Sequence, residues 1–314
     1  MKWKALFAAI MALAFTTVAP AGDKAPPEFK PQAIKEKNLV AGKTTLDPTR
    51  GYILGSYPVR FQGTFIRVPE AEDWAAYRAD WEKAFAKAQK DYERKMKEWK
   101  VFAENAKAQG QRAPSKPAII TRDTFSIGPI EARMLVSFGP GDDYLKDKAV
   151  PVYRYLNVVR PGTYIWYGPF VLIGGGTCYC MGTVKFEVKA GVITDTGDFL
   201  LSVARYEGLT MDDKSNRLPD RFSASPDGIG EVGPEAAHYG IPGTLSALPG
   251  AQAEFHAAGK LNNLFSLMIS RARPIPGILG YRRGEVIDLR TGQPIAMQIA
   301  PFDPDVETGE DDGD

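Results

Sequence analysis

TVKFEVKAGVITDTGDFLLSVARYE, residues 183–207, is the stretch whose reading decides the fold. Val184, Phe186 and Val188 alternate with Lys185, Glu187 and Lys189. That period of two gives a strand one dry face and one wet face. Ala190-Gly191 then breaks the run, and VITDTGDF resumes it. The spacing predicts a β-hairpin in an antiparallel sheet that is packed on one side. Working outward, the same grammar recurs in GYILGSYPVRF (51–61), GTFIRVP (63–69), ARMLVSF (132–138), VPVYRYLNVV (150–159) and TYIWYGPFVLI (163–173). PIPGILGYRRGEVIDLRTGQPIAM (274–297) reads as a closing hairpin, turning at Arg283-Gly284 or at Arg290-Thr291-Gly292. The 31 Gly and 24 Pro favour many short strands joined by turns over a helical bundle.

One segment speaks differently. From Glu70 to Gln109 there is neither Gly nor Pro, and Ala, Glu, Lys and aromatic residues dominate. Trp74, Trp81, Ala88 and Phe102 fall on one seven-residue series, and Phe85, Tyr92 and Trp99 on a second, offset by four. Together they form the apolar stripe of an amphipathic helix over about 70–109. Lys95 and Arg78 interrupt the series, and Gly110 and Pro114 end the helix. Charges alone do not hold such a helix. Its stripe is expected either to pack on the sheet of its own chain or to pair with a second copy as a projecting arm, which makes self-association a partner reading.

The fold expected is therefore mainly β: an antiparallel β-sandwich or partly closed barrel with one long inserted amphipathic helix. The domain reading is a signal peptide (1–21), an extended Pro- and Lys-rich leader (22–48), and one β-rich domain (49–300). The domain carries the helical insertion (70–110) and an irregular segment (211–250), and an acidic disordered tail (301–314) follows it. The leader is expected to be ordered only where it lies on the body.

The compartment is read from the start of the chain. Lys2 and Lys4 precede an apolar run from Ala5 to Val18, and Ala19-Pro20-Ala21 has the small-x-small form of a cleavage site. The run is shorter than the ~20 residues of a bilayer span. Cleavage after Ala21 and export to a bacterial periplasm or beyond are expected, with no transmembrane segment in the mature chain. The net charge of +1 falls by two when Lys2 and Lys4 are removed. A near-neutral chain offers no field for nucleic acid, so none is expected as a partner.

YLNVVRPGTY, a Gly-rich turn and TVKFEVKAGVITDTGDF follow one another between residues 155 and 200. This order resembles a pattern in uncharacterised bacterial envelope proteins and lipoproteins with β-sandwich domains. The resemblance implies a secreted sandwich and carries no catalytic residue.

Candidate chemistry is sparse. GGGTCYCMG, residues 174–182, holds both cysteines, Cys178 and Cys180. In a regular strand the Cα atoms of residues i and i+2 lie about 6.5–7 Å apart, at the edge of the disulfide range of about 6.8 Å. A disulfide here needs a local bend. Reduced buried thiols are the second reading, and a soft-metal site of Cys178, Cys180 and Met181 is the third. No Gly-x-Ser-x-Gly or His-Glu-x-x-His pattern occurs. His238 and His256 are the only histidines and sit at no motif spacing for a catalytic base. A carboxylate hydrolase ranks third, since 38 acidic residues offer many pairs and spacing alone selects none. The strand TYIWYGPF puts Tyr164 and Trp166 on one face, a platform for a sugar ring or apolar partner if it is exposed, with burial in the core the commoner fate of such residues. With Trp74, Trp81, Phe85, Tyr92 and Trp99 it forms the candidate binding surface. The function expected is a non-catalytic envelope protein that binds a protein or glycan partner and needs no cofactor. Thiol/disulfide or copper function at Cys-Tyr-Cys-Met is the alternative.

Overall fold

The computed structural model describes residues 29–146, 152–169, 176–203 and 236–305. The signal peptide, most of the irregular segment and the end of the acidic tail lie outside the described residues. The chain divides into a unit up to Lys30 and a unit from Pro31 onward. Of the first, only Phe29 and Lys30 are described, and they take no regular structure.

Two sheets make up most of the second unit. The first contains β1 (Gln32–Ile34), β2 (Gly51–Tyr57), β5 (Asp143–Lys146), β6 (Tyr153–Val159), β10 (Ile193–Gly197) and β11 (Gly250–Gln252). Its order is β1-β6-β2-β10-β11, and β5 also pairs with β6, end to end with β1 along one edge. The second contains β3 (Gly63–Arg67), β4 (Leu135–Phe138), β7 (Gly162–Gly168), β9 (Thr183–Val188) and β12 (His256–Ala258), in the order β12-β9-β7-β3-β4. All pairings in the second sheet are antiparallel. In the first, β10 runs parallel to both of its neighbours. Between the sheets lies the main core, with Ile53, Tyr57 and Tyr155 from one and Phe65, Trp166 and Phe186 from the other. The architecture is mainly β and sandwich-like, and no closed barrel forms among the described residues.

The stretch at 183–207 corrects the hairpin expected of it. β9 and β10 do not pair; the turn at Ala190-Gly191 carries the chain from the second sheet to the first. The same happens between β2 and β3 and between β6 and β7. Gly191 has φ +67, and a Cβ there would lie 2.9 Å from the Pro48 carbonyl oxygen, so the corner needs glycine. β9 alternates buried and wetter positions as read, whereas every residue of β10 is buried. The reason is the outer face of the first sheet. Ile34, Tyr52, Leu54, Tyr144, Leu156, Ile193 and Leu245 form a second apolar cluster there. Leader residues β1 and the short helix α1 (Glu36–Val40) are ordered in this part of the chain.

The closing segment uses both predicted turns. β14 (Leu279–Arg282) and β15 (Glu285–Asp288) are joined through Arg283 and Gly284, both at positive φ, and Gly292 turns the chain into β16 (Gln293–Pro294).

The long helix α2 spans Ala71–Ala108, 38 residues, or about 57 Å. It leaves the second sheet after β3 and the chain returns as β4, which pairs directly with β3. A capping box starts it: the Glu70 amide donates to Asp73 Oδ2 at 2.8 Å, and the Glu70 side chain accepts from the Asp73 backbone. Asp73 also takes Arg67 at 2.5 Å and Arg160 at 3.5 Å, joining helix, β3 and the end of β6 in a nearly buried ion network. The expectation that the helix packs on its own sheet is met over its first turns. Its buried residues are Asp73, Tyr77, Trp81 and Phe85, and the three aromatic ones pack with Ile66, Ile165 and Tyr167 on the outer face of the second sheet. Beyond Phe85 no residue of α2 is buried. Trp99 donates to the Pro114 carbonyl at 2.9 Å as the chain runs back along the helix, and Phe102 is 61% exposed. The buried stripe steps by four residues, so it includes Tyr77, which the seven-residue series passed over.

This division predicts unequal costs. Trp81→Ala is expected to destabilise by about 3–5 kcal/mol, and Trp99→Ala by only about 1 kcal/mol, as measured by denaturant unfolding. Equal losses would mean that the whole helix is anchored. A second expectation concerns alkaline pH. Burial raises the phenol of Tyr155 to about 12, and burial also raises Tyr57 and Tyr164. Their folded values lie above the unfolded value of about 10. The stability that their burial contributes is therefore fully present below about pH 10 and is lost as pH rises from there. Unfolding midpoints should fall above pH 10, with the last phenolate absorbance appearing only as the chain unfolds.

Candidate functional site

The outer face of the second sheet is covered by four pieces of chain, and a groove remains among them. The first is the root of α2, with Tyr77 and Trp81 one helical turn apart. The second is the returning segment. Phe125 meets Trp81 edge-on at 5.6 Å between centroids, and its carbonyl accepts from the Trp81 indole at 3.3 Å. The Gly128 carbonyl accepts from the Tyr77 hydroxyl, whose ionisation burial pushes upward. The third is a single 3-10 turn, Ile130–Arg133, in which Ile130 and Glu131 are buried. The fourth is the C-terminal segment. Phe302 lies edge-on to Tyr77 at 4.9 Å and stacks with Trp74 at 6.4 Å. The expected disordered tail is thus corrected over residues 301–305, because Phe302 has an aromatic surface to bury against; the remainder lies outside the described residues.

The groove has a volume of about 360 Å³, within the range of small-ligand sites. Arginines cap the aromatic rings. Arg122 sits 4.7 Å over Trp81, Arg133 sits 5.0 Å over Tyr77, and Arg78 sits 5.1 Å over Phe302. Arg122 pairs with Glu82 at 2.6 Å and Asp305 at 3.3 Å, and Arg133 with Asp80 at 2.7 Å. Glu131 lies in the wall and is 4% exposed. Its Oε1 accepts from the Asn262 amide at 2.6 Å.

Of the predicted surface, Trp81 lines the groove, Trp74 packs behind Phe302, and Phe85 is buried against Trp81 at 5.0 Å. Tyr92 and Trp99 are half-buried farther along α2 and do not reach it. Tyr164 and Trp166 are corrected: both are inside the sandwich core, Trp166 at 0% exposure, and form no platform. An antiparallel strand between two covered faces buries both of its rows. Glu131, Asn262, Tyr77, Phe125 and Phe302 were not legible as site residues. The one signal was Phe302 itself, a bulky aromatic within a Pro- and Asp-rich end.

Cys178 and Cys180 stand at disulfide distance, 2.07 Å between sulfurs, with Cα atoms 5.2 Å apart. The chain bends there after the two-residue strand β8 (Thr177–Cys178). β13 (Met268–Ile269) holds it on one side, with the Ser270 amide donating to the Cys178 carbonyl at 2.9 Å. The Tyr179 amide donates to the Tyr167 carbonyl at 2.8 Å on the other side. Both cysteines are buried in the cluster under α2. Paired sulfurs present no thiolates, so the copper reading with Met181 loses its ligands in this state, and burial works against thiol exchange. Among the described residues no group of three or more His, Cys, Asp or Glu could hold a metal. His238 Nδ1 lies 2.8 Å from Oδ2 of buried Asp195. No described hydroxyl or thiol bonds its other nitrogen, and neighbouring bonds tie this segment to the sheet. The Ala237 amide and the Tyr239 hydroxyl each donate to Asp198 at 2.8 Å. His256 lies on β12 beside Arg290 and Glu254 at the surface.

Comparison with known proteins returns nothing: no family model, no curated protein and no solved structure matches the chain.

A thiol titration of the native chain should find no reactive sulfhydryl. Replacing both cysteines by alanine should cost about 1–2 kcal/mol, as loop-closure scaling gives for so short a ring, read as a lowered unfolding midpoint. Two titratable thiols in protein purified without reductant would restore the reduced reading.

Proposed function

We propose that the chain is an exported, non-catalytic binding protein of the cell envelope, and that the aromatic groove at the root of α2 is where it takes its ligand. One observation carries this reading. Aromatic rings from residues 77, 81, 125 and 302 converge from three distant segments, yet leave about 360 Å³ between them. The space opens to solvent at the surface, where a small ligand can enter it. The apolar run before Ala21 and the local resemblance at 155–200 support export to the envelope. The ligand then comes from an envelope protein or a glycan, presented as a group small enough for the groove.

The test is calorimetric. The low-mass fraction of an envelope extract and a panel of free sugars and amines are titrated into the unaltered chain and into Phe302→Ala. This variant is expected to lose roughly 1–3 kcal/mol of stability, less than a fully buried phenylalanine would, and to remain folded. Heat of binding that is present in the first protein and at least tenfold weaker in the second supports the groove. Binding that Phe302→Ala leaves untouched places the ligand elsewhere on the molecule.

A further inference from the structure

We infer that the groove selects a small organic cation, an alkylammonium or guanidinium group, because Glu131, a buried carboxylate with no described counter-ion, lies in its wall beside the side chains of Tyr77, Trp81, Phe125 and Phe302. This rests on the groove being the binding site.

Most charges around the groove have described partners. Arg122 and Arg133 each have their own carboxylates, and Arg78 donates to the Pro304 carbonyl at 3.1 Å. Among the described residues Glu131 has only the neutral amide of Asn262, on one oxygen. No described Lys, Arg or His pairs with it. Asp123, at the exposed rim, has no described cation either. A buried carboxylate held by one amide leaves acceptor capacity unused and a charge uncompensated. An entering cation supplies both the donor and the opposite charge. An anion would meet Glu131 across a short distance, and a neutral sugar would leave its charge as it stands.

The negative face of an aromatic ring attracts a cation within about 6 Å. Three rings at this site already hold guanidinium groups at 4.7–5.1 Å. Phe85 also stacks on Trp81 and Trp74 on Phe302, so these faces are taken within the chain and the charge left to select a cation is that of Glu131. An organic cation fits where a metal ion does not: one carboxylate and one amide are too few oxygens for a hard cation, while the rings favour an apolar envelope around the charge.

The chemistry is shared by two sources, a free quaternary amine and the side chain of a basic peptide. Choline and acetyl-arginine amide are the probes. Each is titrated calorimetrically into the full chain, beside the neutral isostere of choline in which carbon replaces nitrogen. Choline or the arginine probe is expected to bind at least tenfold more tightly than the isostere. The probe that binds more tightly identifies the source. Glu131→Gln keeps the shape and the acceptor for Asn262. It is expected to weaken cation binding at least tenfold and to bring choline and its isostere to similar affinity. The comparison on the unaltered chain stands even if E131Q fails to fold. Equal affinity for choline and its isostere overturns the inference, as does cation binding that E131Q leaves unchanged. If a sugar binds in a Phe302-dependent way and no cation does, the inference fails and the groove remains the binding site. If none of the probes binds and the extract fraction is indifferent to Phe302→Ala, both fail.

Discussion

The second sheet is apolar on both faces, and much of the rest of the molecule follows from that constraint. Along β7, Tyr164 and Trp166 enter the space between the sheets while Ile165 and Tyr167 point away from it. A two-layer sandwich covers only the first row. Leaving the second in water would expose a continuous patch of a size that monomers rarely carry. The fold solves this within one crossing between neighbouring strands. β3 ends, α2 leaves and lays its first turns back across the sheet, and β4 resumes beside β3. The buried pair of Arg67 and Asp73, joined by the half-buried Arg160, fixes where the helix departs. Such a network adds little net stability, but breaking one arm would strand a buried charge, so it defines the take-off point sharply.

Local alternation was readable because it is a property of single strands. Val184, Phe186 and Val188 declared the dry face of β9 without help from any neighbour. Which sheet a strand joins was not readable. A corner that passes from sheet to sheet and a hairpin that turns within one use the same residues, and Pro161-Gly162 and Ala190-Gly191 are corners that look like hairpin turns. The helix was legible from the missing Gly and Pro between Glu70 and Gln109. Its buried row was only partly so: four-residue steps from Asp73 select Tyr77, and the charged Asp73 hides the start of the row. The groove was least legible. Glu131 follows Pro129-Ile130 in no recognisable pattern, and Asn262 and Phe302 come from segments more than one hundred residues away. Their proximity is a product of tertiary packing alone.

The cysteines belong to the same layer. A regular strand would hold residues i and i+2 too far apart for comfort. The bend after β8 brings the Cα atoms to 5.2 Å, and hydrogen bonds to β13 and to the Tyr167 carbonyl keep it there. The pair thus acts as a compact apolar element of the cluster beneath α2, where its neighbours include Tyr167 and Leu261. Packing accounts for its position without invoking exchange chemistry.

The groove depends on parts of the chain that arrive by different routes. Phe125 comes from the segment returning along α2, Glu131 from the turn before β4, and Phe302 from the C-terminal segment. Arg122 ties two of these together, bonding Glu82 on the helix and both the Pro304 carbonyl and Asp305 near the end. The site exists only when the C-terminal segment is docked on the helix root. A ligand that binds the assembled groove therefore stabilises that docking, by mass action on the state that binds it. By reciprocity, whatever secures the C-terminal segment tightens the ligand by the same factor. On the proposed reading, binding at the helix root and the seating of residues 301–305 are linked equilibria, with the arginines over Trp81 and Phe302 among the contacts between them.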